Sequence, residues 1–208
     1  LQSLVKQGII DFGDTYLEKF DRNLRYSRFS SEIDNMEDSI LSNITSFRLQ
    51  KRFVPSLDIS SSYSIKFDNA LFHPVDGYSS IIESNAFYYY DPVTLQNQIC
   101  YLNDDGYGNV RIYKVVDQDK IYINETAGTV NYTTGKVTLT SFKPVSLYDV
   151  SESEIKITVV PNKSDLYSRR NLILVIDQDN INVTATKESL RYDPYDASAA
   201  SFPYNTGT

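Results

Sequence analysis

The chain has 208 residues, with 20 Lys and Arg side chains against 27 Asp and Glu, one His, one Cys, no Trp and 17 Tyr. A single cysteine excludes an intramolecular disulfide framework and any zinc site that uses several cysteines, and a single histidine argues against His-based metal sites and His-dependent triads. The net charge of −7 argues against nucleic-acid binding, because neutralising phosphates needs a basic surface. The hydrophobic content of 41% is typical of a chain that folds around a core.

Tyrosine and charge are distributed unevenly along the chain. Only Tyr16 and Tyr26 lie within residues 1–55, and the other fifteen tyrosines follow. Residues 1–55 hold eight basic and eight acidic side chains, whereas residues 56–208 hold twelve basic and nineteen acidic ones. This shift predicts a boundary near Pro55. We expect an α+β segment of a larger domain over residues 1–55, an antiparallel β domain over residues 56–187 and an extended tail or arm over residues 188–208.

The first segment has the spacing of an amphipathic helix. Its apolar residues recur at three- and four-residue steps, namely Leu1, Leu4, Val5, Ile9, Phe12, Tyr16, Leu17 and Phe20. A polar stretch with Arg22, Arg25 and Arg28 follows. Ser30 and Ser31 then offer an N-cap with an acid three residues on, which predicts a second helix as far as about Asp38. Alternation from Ile40 to Phe53 predicts a strand.

The chain lacks an initiator methionine, since its one Met is Met36, and Leu1 opens directly onto the helical pattern. We therefore expect a fragment of a longer protein. No apolar run approaches the roughly 20 residues that cross a bilayer, and no signal peptide is visible. We do not expect a membrane as a partner.

From residue 56 onward the hydrophobic period changes to two. Short runs separated by Gly, Asn and Asp predict strands at 59–67, 86–90, 98–102, 110–116, 120–124, 129–132, 136–142, 154–160, 172–176 and 181–185. Residues 103–109 (NDDGYGN) supply the turn of a hairpin. The repeated Asp-Gln-Asp at 117–119 and 177–179 predicts two further hairpin turns, and the alternative of two cation sites lacks the ligand number that calcium needs. The whole is an α+β fold whose second part is mostly antiparallel β.

No group of residues has the spacing of a catalytic, cofactor or metal site. His73 lies in a turn-like Phe-His-Pro context, and Cys100 lies in a strand where a small buried residue is expected. The sequence at 106–108 (GYG) is followed by neither a Lys nor a helix, so it does not predict a phosphate loop. Asp104/Asp105 and Glu152/Glu154 are possible acid/base pairs, but a solvated face explains them as well. We expect no enzyme activity and no cofactor.

Six residues are candidates for an interface. Arg169 and Arg170 form the one basic doublet in the acidic part, either as a strand-entry pair facing water or as an anchor that binds partner carboxylates. The last 18 residues have no periodicity but contain aromatic side chains, so the tail is either disordered or an arm on another surface. Its candidate anchors are Tyr192, Tyr195, Phe202 and Tyr204.

Several short motifs follow one another along the chain, namely 20–28 (FDRNLRYSR), 32–34 (EID), 40–46 (ILSNITS), 49–52 (LQKR), 102–106 (LNDDG), 130–137 (VNYTTGKV) and 170–174 (RNLIL). Their order resembles that in baseplate wedge proteins of contractile-tail bacteriophages. Together they are similar to the C-terminal half of the T-even-type wedge subunit in the baseplate J-like group, over about residues 1–185. The tail after Arg191 matches none of these motifs.

The resemblance implies a structural virion protein of the tail baseplate, assembled in the host cytoplasm and without catalytic activity. Proteins of this family occur as paired copies in each wedge and link neighbouring wedges into a ring around the hub. The implied partners are a second copy of the chain, other wedge subunits and the protein from which the sheath starts. An alternative function is a carbohydrate- or receptor-binding β module, because tyrosine-rich surfaces can stack on sugars, although the chain has no Trp.

Overall fold

The computed structural model describes residues 1–169 and 172–187. The predicted tail over residues 188–208 lies outside the described residues, as does Arg170. In the described part, none of the helices is long and apolar enough to span a membrane.

The N-terminal part contains two helices, as predicted. Helix α1 spans Gln2–Phe12 and continues into a π-helical turn, Gly13–Leu17, in which the Glu18 N–H donates to the Gly13 carbonyl at 3.0 Å. Helix α2 spans Tyr26–Asp34, so the predicted start at Ser30 and end near Asp38 are both wrong. The physical reason for the early start is a distant cap, because Asp165 Oδ1 accepts the Tyr26 N–H at 2.8 Å.

The strand predicted from Ile40 to Phe53 is correct only in its last part. Strand β1 spans Leu49–Phe53, and residues 40–48 join no ladder. Asn43 instead bonds the C-terminal half of α2, donating to Asp34 Oδ1 at 2.6 Å and to the Ser30 carbonyl at 3.1 Å. Ile44 is 99% exposed, whereas Phe47 packs against the helical cluster, so the alternation reflects an extended chain with one face on the helices and not a paired strand.

The remaining strands form two antiparallel sheets, which confirms the predicted fold class. They are β2 Ser61–Lys66, β3 Ile82–Ser84, β4 Phe87–Asp91, β5 Gln96–Asp104, β6 Asn109–Val116, β7 Asp119–Asn131, β8 Lys136–Phe142, β9 Ser146–Leu147 and β10 Ile155–Val159. Seven strands form one sheet in the order β2-β8-β7-β6-β5-β4-β9, and three form the other in the order β1-β10-β3. Every strand pairing is antiparallel.

Two predictions about individual strands are wrong. The strands predicted at 120–124 and 129–132 are one continuous strand, β7, which pairs with β6 through two register shifts and with β8 in regular register. The segments 172–176 and 181–185 form no strands, and the second Asp-Gln-Asp lies at a short 3₁₀ helix, Gln178–Asn180, not at a hairpin. The apolar residues of these two segments alternate because the chain is extended there and packs Leu174, Ile176 and Val183 against the helices.

Within residues 1–169 and 172–187, two hydrophobic clusters form the core. The larger one lies between the sheets and combines Ile155, Ile157 and Val159 of β10 with residues such as Leu102 of β5 and Leu139 of β8. The smaller cluster surrounds the helices and also takes in side chains that follow β10; it contains Val5, Phe12, Leu17, Leu24, Phe29, Ile33 and Leu166, with Leu174, Ile176 and Val183 packed against it. The second cluster thus draws on both sides of Pro55, and the division of the chain into domains stays a prediction.

Candidate interaction surfaces

The histidine and the cysteine, which could act as a base or a nucleophile, make structural contacts inside the fold. His73 stacks in parallel on Tyr132 with ring centroids 4.0 Å apart, and its Nε2 lies 2.9 Å from the Gly106 carbonyl oxygen. Cys100 is fully buried, and burial raises the pKa of its thiol to about 12, with the negative charge of Asp91 acting in the same direction. Among the described residues, no group of three or more His, Cys, Asp or Glu side chains has the arrangement of a metal site.

The two neighbouring carboxylates of the β5–β6 hairpin have different structural partners. Asp104 is completely buried; its Oδ1 accepts the backbone N–H groups of Ile81 and Ile82 at 2.7 and 2.9 Å, and its Oδ2 accepts the Tyr132 hydroxyl at 2.8 Å. Burial, followed by this hydrogen bond, raises the pKa of the Tyr132 phenol. Asp105 instead closes the turn by accepting the N–H of Asn109 at 2.9 Å. The two carboxylates therefore do not converge on a common substrate position.

A second buried carboxylate carries an ion pair. Asp91, at the end of β4, is 2% exposed, and its Oδ2 lies 2.8 Å from Lys114 Nζ of β6. Its Oδ1 accepts the Val93 N–H at 2.8 Å, which shapes the β4–β5 turn. The hydrogen bond from Lys114, followed by that from Val93, lowers the pKa of Asp91 to about 2. This pair joins two strands of the large sheet and is not open to a ligand.

The outer face of strands β4 to β7 is rich in tyrosine. Tyr88 of β4 stands opposite Ile99 of β5 in the strand register. On the same face, Tyr101 of β5 stands opposite Tyr113 of β6, which in turn stands opposite Tyr122 of β7. All of these tyrosines are half-buried, and Ile99 is exposed. We call this surface the tyrosine face; it is defined by Tyr88, Tyr90, Ile99, Tyr101, Tyr113 and Tyr122.

Cations lie against part of the tyrosine face. The Arg111 guanidinium lies 4.1 Å from the Tyr122 ring centroid, and Lys120 Nζ lies 4.7 Å from that of Tyr113. The rings of Tyr101 and Tyr113 stack at 5.6 Å. Burial raises the pKa of the Tyr113 phenol, and the charge of Glu83 adds to that effect. The face thus combines aromatic area with the positive charges of Arg111 and Lys120.

The β6–β7 hairpin extends beyond its neighbouring strands as a two-stranded ribbon. Pairing of β5 with β6 ends at Tyr113, whereas β6 and β7 remain paired as far as Val116 opposite Asp119. Asp117 and Gln118 both have positive φ, 50° and 74°, as a tight two-residue turn requires. This confirms the hairpin predicted at the first Asp-Gln-Asp. The end of the ribbon exposes Asp117 and Asp119 next to three apolar side chains, Val115, Val116 and Ile121.

An arginine-lined cleft lies where the π-helical turn meets α2. It has a volume of about 480 Å³ and is lined by Phe12, Thr15, Tyr16, Leu17, Asp21, Arg22, Asn23, Arg25 and Arg28. The guanidinium of Arg28 stacks over the Tyr16 ring at 3.8 Å, which leaves its edge N–H groups available. In the described part of the chain, neither Arg22 nor Arg28 forms an ion pair. The three arginines were visible in the sequence only as a polar stretch with three-residue spacing.

Contacts from a distant segment hold the cleft in shape. Leu24 and Leu166 exchange two backbone hydrogen bonds of 2.9 and 3.0 Å. Arg25 Nη1 lies 3.1 Å from Asp165 Oδ2, and the bond from Tyr26 N–H, followed by that from Arg25, lowers the pKa of Asp165. The backbone that carries the three arginines is therefore fixed before any ligand arrives.

Of the predicted interface residues, only Arg169 is described. Its Nη2 lies 2.7 Å from Asp68 Oδ1, and its side chain is 66% exposed. The other candidates, namely Arg170, Tyr192, Tyr195, Phe202 and Tyr204, lie outside the described residues. Their role in an interface stays a prediction.

Comparison with known proteins gives little further guidance. No model of a known protein family matches the chain, and no curated protein matches it. Among solved structures, the tailspike protein of Acinetobacter phage vB_ApiP_P1 is similar over 62% of this chain and 24% of the tailspike chain, at 11% sequence identity and a TM-score of 0.24. A TM-score at this level does not indicate a shared fold.

Proposed function

We propose that this chain is a non-enzymatic structural module of a contractile phage tail, located in the virion baseplate. In this proposal it associates with a second copy of itself and links wedge subunits into a ring around the hub. Other wedge subunits and the protein that starts the sheath are its further partners. The ordered series of motifs that resembles baseplate wedge proteins supports this assignment.

The observation that carries the proposal is the tyrosine face. Tyrosine has a large ring, few rotatable bonds and a polar tip, so it gives contact area at low entropic cost and is enriched in interfaces. Five tyrosines and one isoleucine lie in register on one face of the large sheet, and this face also carries Arg111 and Lys120. Exposed apolar side chains continue beyond it at the β4–β5 turn, where Val93 is 89% and Leu95 70% exposed.

Sedimentation velocity over a range of concentrations tests the proposal. We expect a reversible, concentration-dependent dimer or larger assembly. The double change Tyr88→Ser and Tyr90→Ser should weaken it, because both side chains lie on the tyrosine face. Tyr107→Ser is the matched control, since Tyr107 is 73% exposed but lies on the β5–β6 turn. A chain that stays monomeric at high concentration would contradict the proposal.

The C-terminal tail has a test of its own. The aromatic residues after Arg191 are proposed to act as anchors of an arm, so a chain without residues 191–208 should associate less strongly or bind its partners less tightly. Sedimentation of the shortened chain beside the full chain measures this. Unchanged association and partner binding would remove the arm from the proposal and leave the tyrosine face in it.

The alternative function, carbohydrate or receptor binding, also relates to the tyrosine face. Sugars stack on free aromatic faces, but Arg111 and Lys120 lie over two of the rings here. A glycan-array screen separates the two functions. Specific binding that is lost in the Tyr88→Ser, Tyr90→Ser variant would favour the alternative.

A further inference from the structure

The arginine cleft and the β6–β7 ribbon are complementary in charge and chemistry, since three arginines and one carboxylate, Asp21, line the cleft. The cleft presents two guanidinium groups, of Arg22 and Arg28, without an acidic partner in the described residues. Phe12 and Tyr16 also line it and form its aromatic floor, with the Arg28 guanidinium over the Tyr16 ring. The ribbon end presents two carboxylates beside apolar side chains. Arginine binds carboxylates through paired hydrogen bonds, and Val116 next to Asp117 gives the aromatic floor an apolar contact.

We propose that the end of the β6–β7 ribbon of one copy binds in the arginine cleft of a second copy. This inference rests on the self-association in the proposed function and names one contact that produces it. Asp117 and Asp119 bind Arg22 and Arg28, while the neighbouring valine packs towards Tyr16. No ribbon residue lines the cleft of its own chain, so within the described residues the two surfaces do not occupy each other.

The positions of the two surfaces determine the kind of assembly. If each ribbon enters the cleft of the other copy, the two contacts close a two-fold dimer; if only one contact forms, it is head-to-tail and leaves one cleft and one ribbon free. Repetition of the contact closes into a ring if the rotation between copies permits it, and otherwise gives an open chain. The Leu24–Leu166 pairing holds the cleft in place, and the tight turn at Asp117 and Gln118 holds the ribbon end. Binding would therefore cost little conformational entropy.

The chain contains an internal control for the ribbon. The second Asp-Gln-Asp, at 177–179, has the same residues but lies at a 3₁₀ helix, where Asp177 Oδ2 is already 3.3 Å from Arg52 Nη2. Asp179 is exposed, as is Glu125 on β7. The double change Asp179→Lys and Glu125→Lys therefore alters the net charge by the same amount as Asp117→Lys and Asp119→Lys without touching the ribbon end.

Sedimentation equilibrium of the full chain tests the contact with two charge-reversed variants. The cleft variant carries Arg22→Glu and Arg28→Glu, and the ribbon variant carries Asp117→Lys and Asp119→Lys. We expect each variant alone to show a dissociation constant about tenfold higher than the unchanged chain, or more. An equimolar mixture of the two should recover association, because the mixture contains matching cleft and ribbon pairs. The Asp179→Lys, Glu125→Lys control should associate like the unchanged chain.

The ribbon variant also separates the specific contact from general repulsion. Its two Asp→Lys changes bring the net charge of −7 closer to zero, so weaker association of this variant does not come from like-charge repulsion. Arg22→Gln alone, at an exposed position, serves as a milder change if the cleft variant fails to fold. If both reversed variants dimerise as tightly as the unchanged chain, this contact is overturned and the proposed function stays intact. An unchanged chain that remains monomeric would overturn both.

Discussion

Asp104 connects three donors from separate parts of the chain, the N–H groups of Ile81 and Ile82 and the Tyr132 hydroxyl. A buried donor that loses its partner costs about 1–3 kcal/mol. We therefore expect Asp104→Ala to lower the free energy of unfolding by about 3 kcal/mol or more, and Tyr132→Phe by about 1 kcal/mol. Urea denaturation followed by circular dichroism measures both. A loss below about 1 kcal/mol for Asp104→Ala would show that the network does not stabilise the fold.

The Asp91–Lys114 pair predicts a dependence of stability on pH. The pKa of Asp91 is about 2 in the folded chain, below its ordinary value, so the folded state binds fewer protons than the unfolded state. The stabilisation is complete above about pH 4 and is lost as the pH falls towards 2. Lys114→Met removes the largest cause of the low pKa, and we expect its melting temperature to fall less steeply over this range. If the melting temperatures of the unchanged chain and of Lys114→Met fall equally between about pH 5 and 2, this assignment is contradicted.

Two glycines differ in what surrounds them. A Cβ at Gly128 of β7 would collide with the Thr138 carbonyl oxygen of β8, which is backbone and cannot move away alone. A Cβ at Gly8 of α1 would meet only the flexible end of Met36. We expect Gly128→Ala to lower the free energy of unfolding by about 2 kcal/mol or more, and Gly8→Ala to change it by less than about 1 kcal/mol. Thermal denaturation of both variants checks the contrast, and similar effects at the two positions would refute it.

At the scale of elements, the segment over residues 172–187 is not a strand but an extended segment that packs against the helices. Ile176 packs against the helical cluster, with its Cδ1 close to where a Cβ of Gly13 would lie, whereas Val175 is 67% exposed. We expect Ile176→Ala to cost about 1–2 kcal/mol of stability and Val175→Ala less than about 0.5 kcal/mol. Chemical denaturation measures the difference. Equal effects at the two positions would mean that the segment does not cover the helices in solution.

The elements that were predicted correctly are those whose hydrophobic pattern and turn residues lie within a few residues of each other in the sequence. Strand β8, Lys136–Phe142, has the predicted bounds because Val137 and Leu139 alternate with polar residues and Gly135, with φ of 63°, forms the preceding turn. Helix α2 was placed four residues too late because its cap comes from Asp165, 139 residues further along the chain. A local pattern contains no information about such a partner.

At the scale of the whole molecule, the tyrosines occupy the boundary between core and solvent. Of the fourteen described tyrosines, five are exposed and nine half-buried, and none of these fourteen is fully buried. A phenol hydroxyl that is completely buried needs a hydrogen-bond partner, so the ring is easiest to accommodate with its tip in water. Five of the described tyrosines lie on the tyrosine face of the large sheet, which is one of the surfaces on which we propose that partners bind.

The sequence by itself determined the α+β class, the antiparallel sheets, the buried positions Val5, Phe12 and Leu17 of the N-terminal stripe and the hairpin turns at 103–109 and 117–119, because periodicity and turn chemistry act over a few residues. It also excluded intramolecular disulfides and multi-cysteine metal sites by composition alone. It did not predict that Leu1, Leu4 and Phe20 are exposed. Only the tertiary structure decided which residues share a surface. The arginine cleft depends on the pairing of Leu24 with Leu166, and the tyrosine face depends on the register of four strands. Both arise from contacts between residues distant in sequence, whose free energy depends on the whole fold and not on any local pattern.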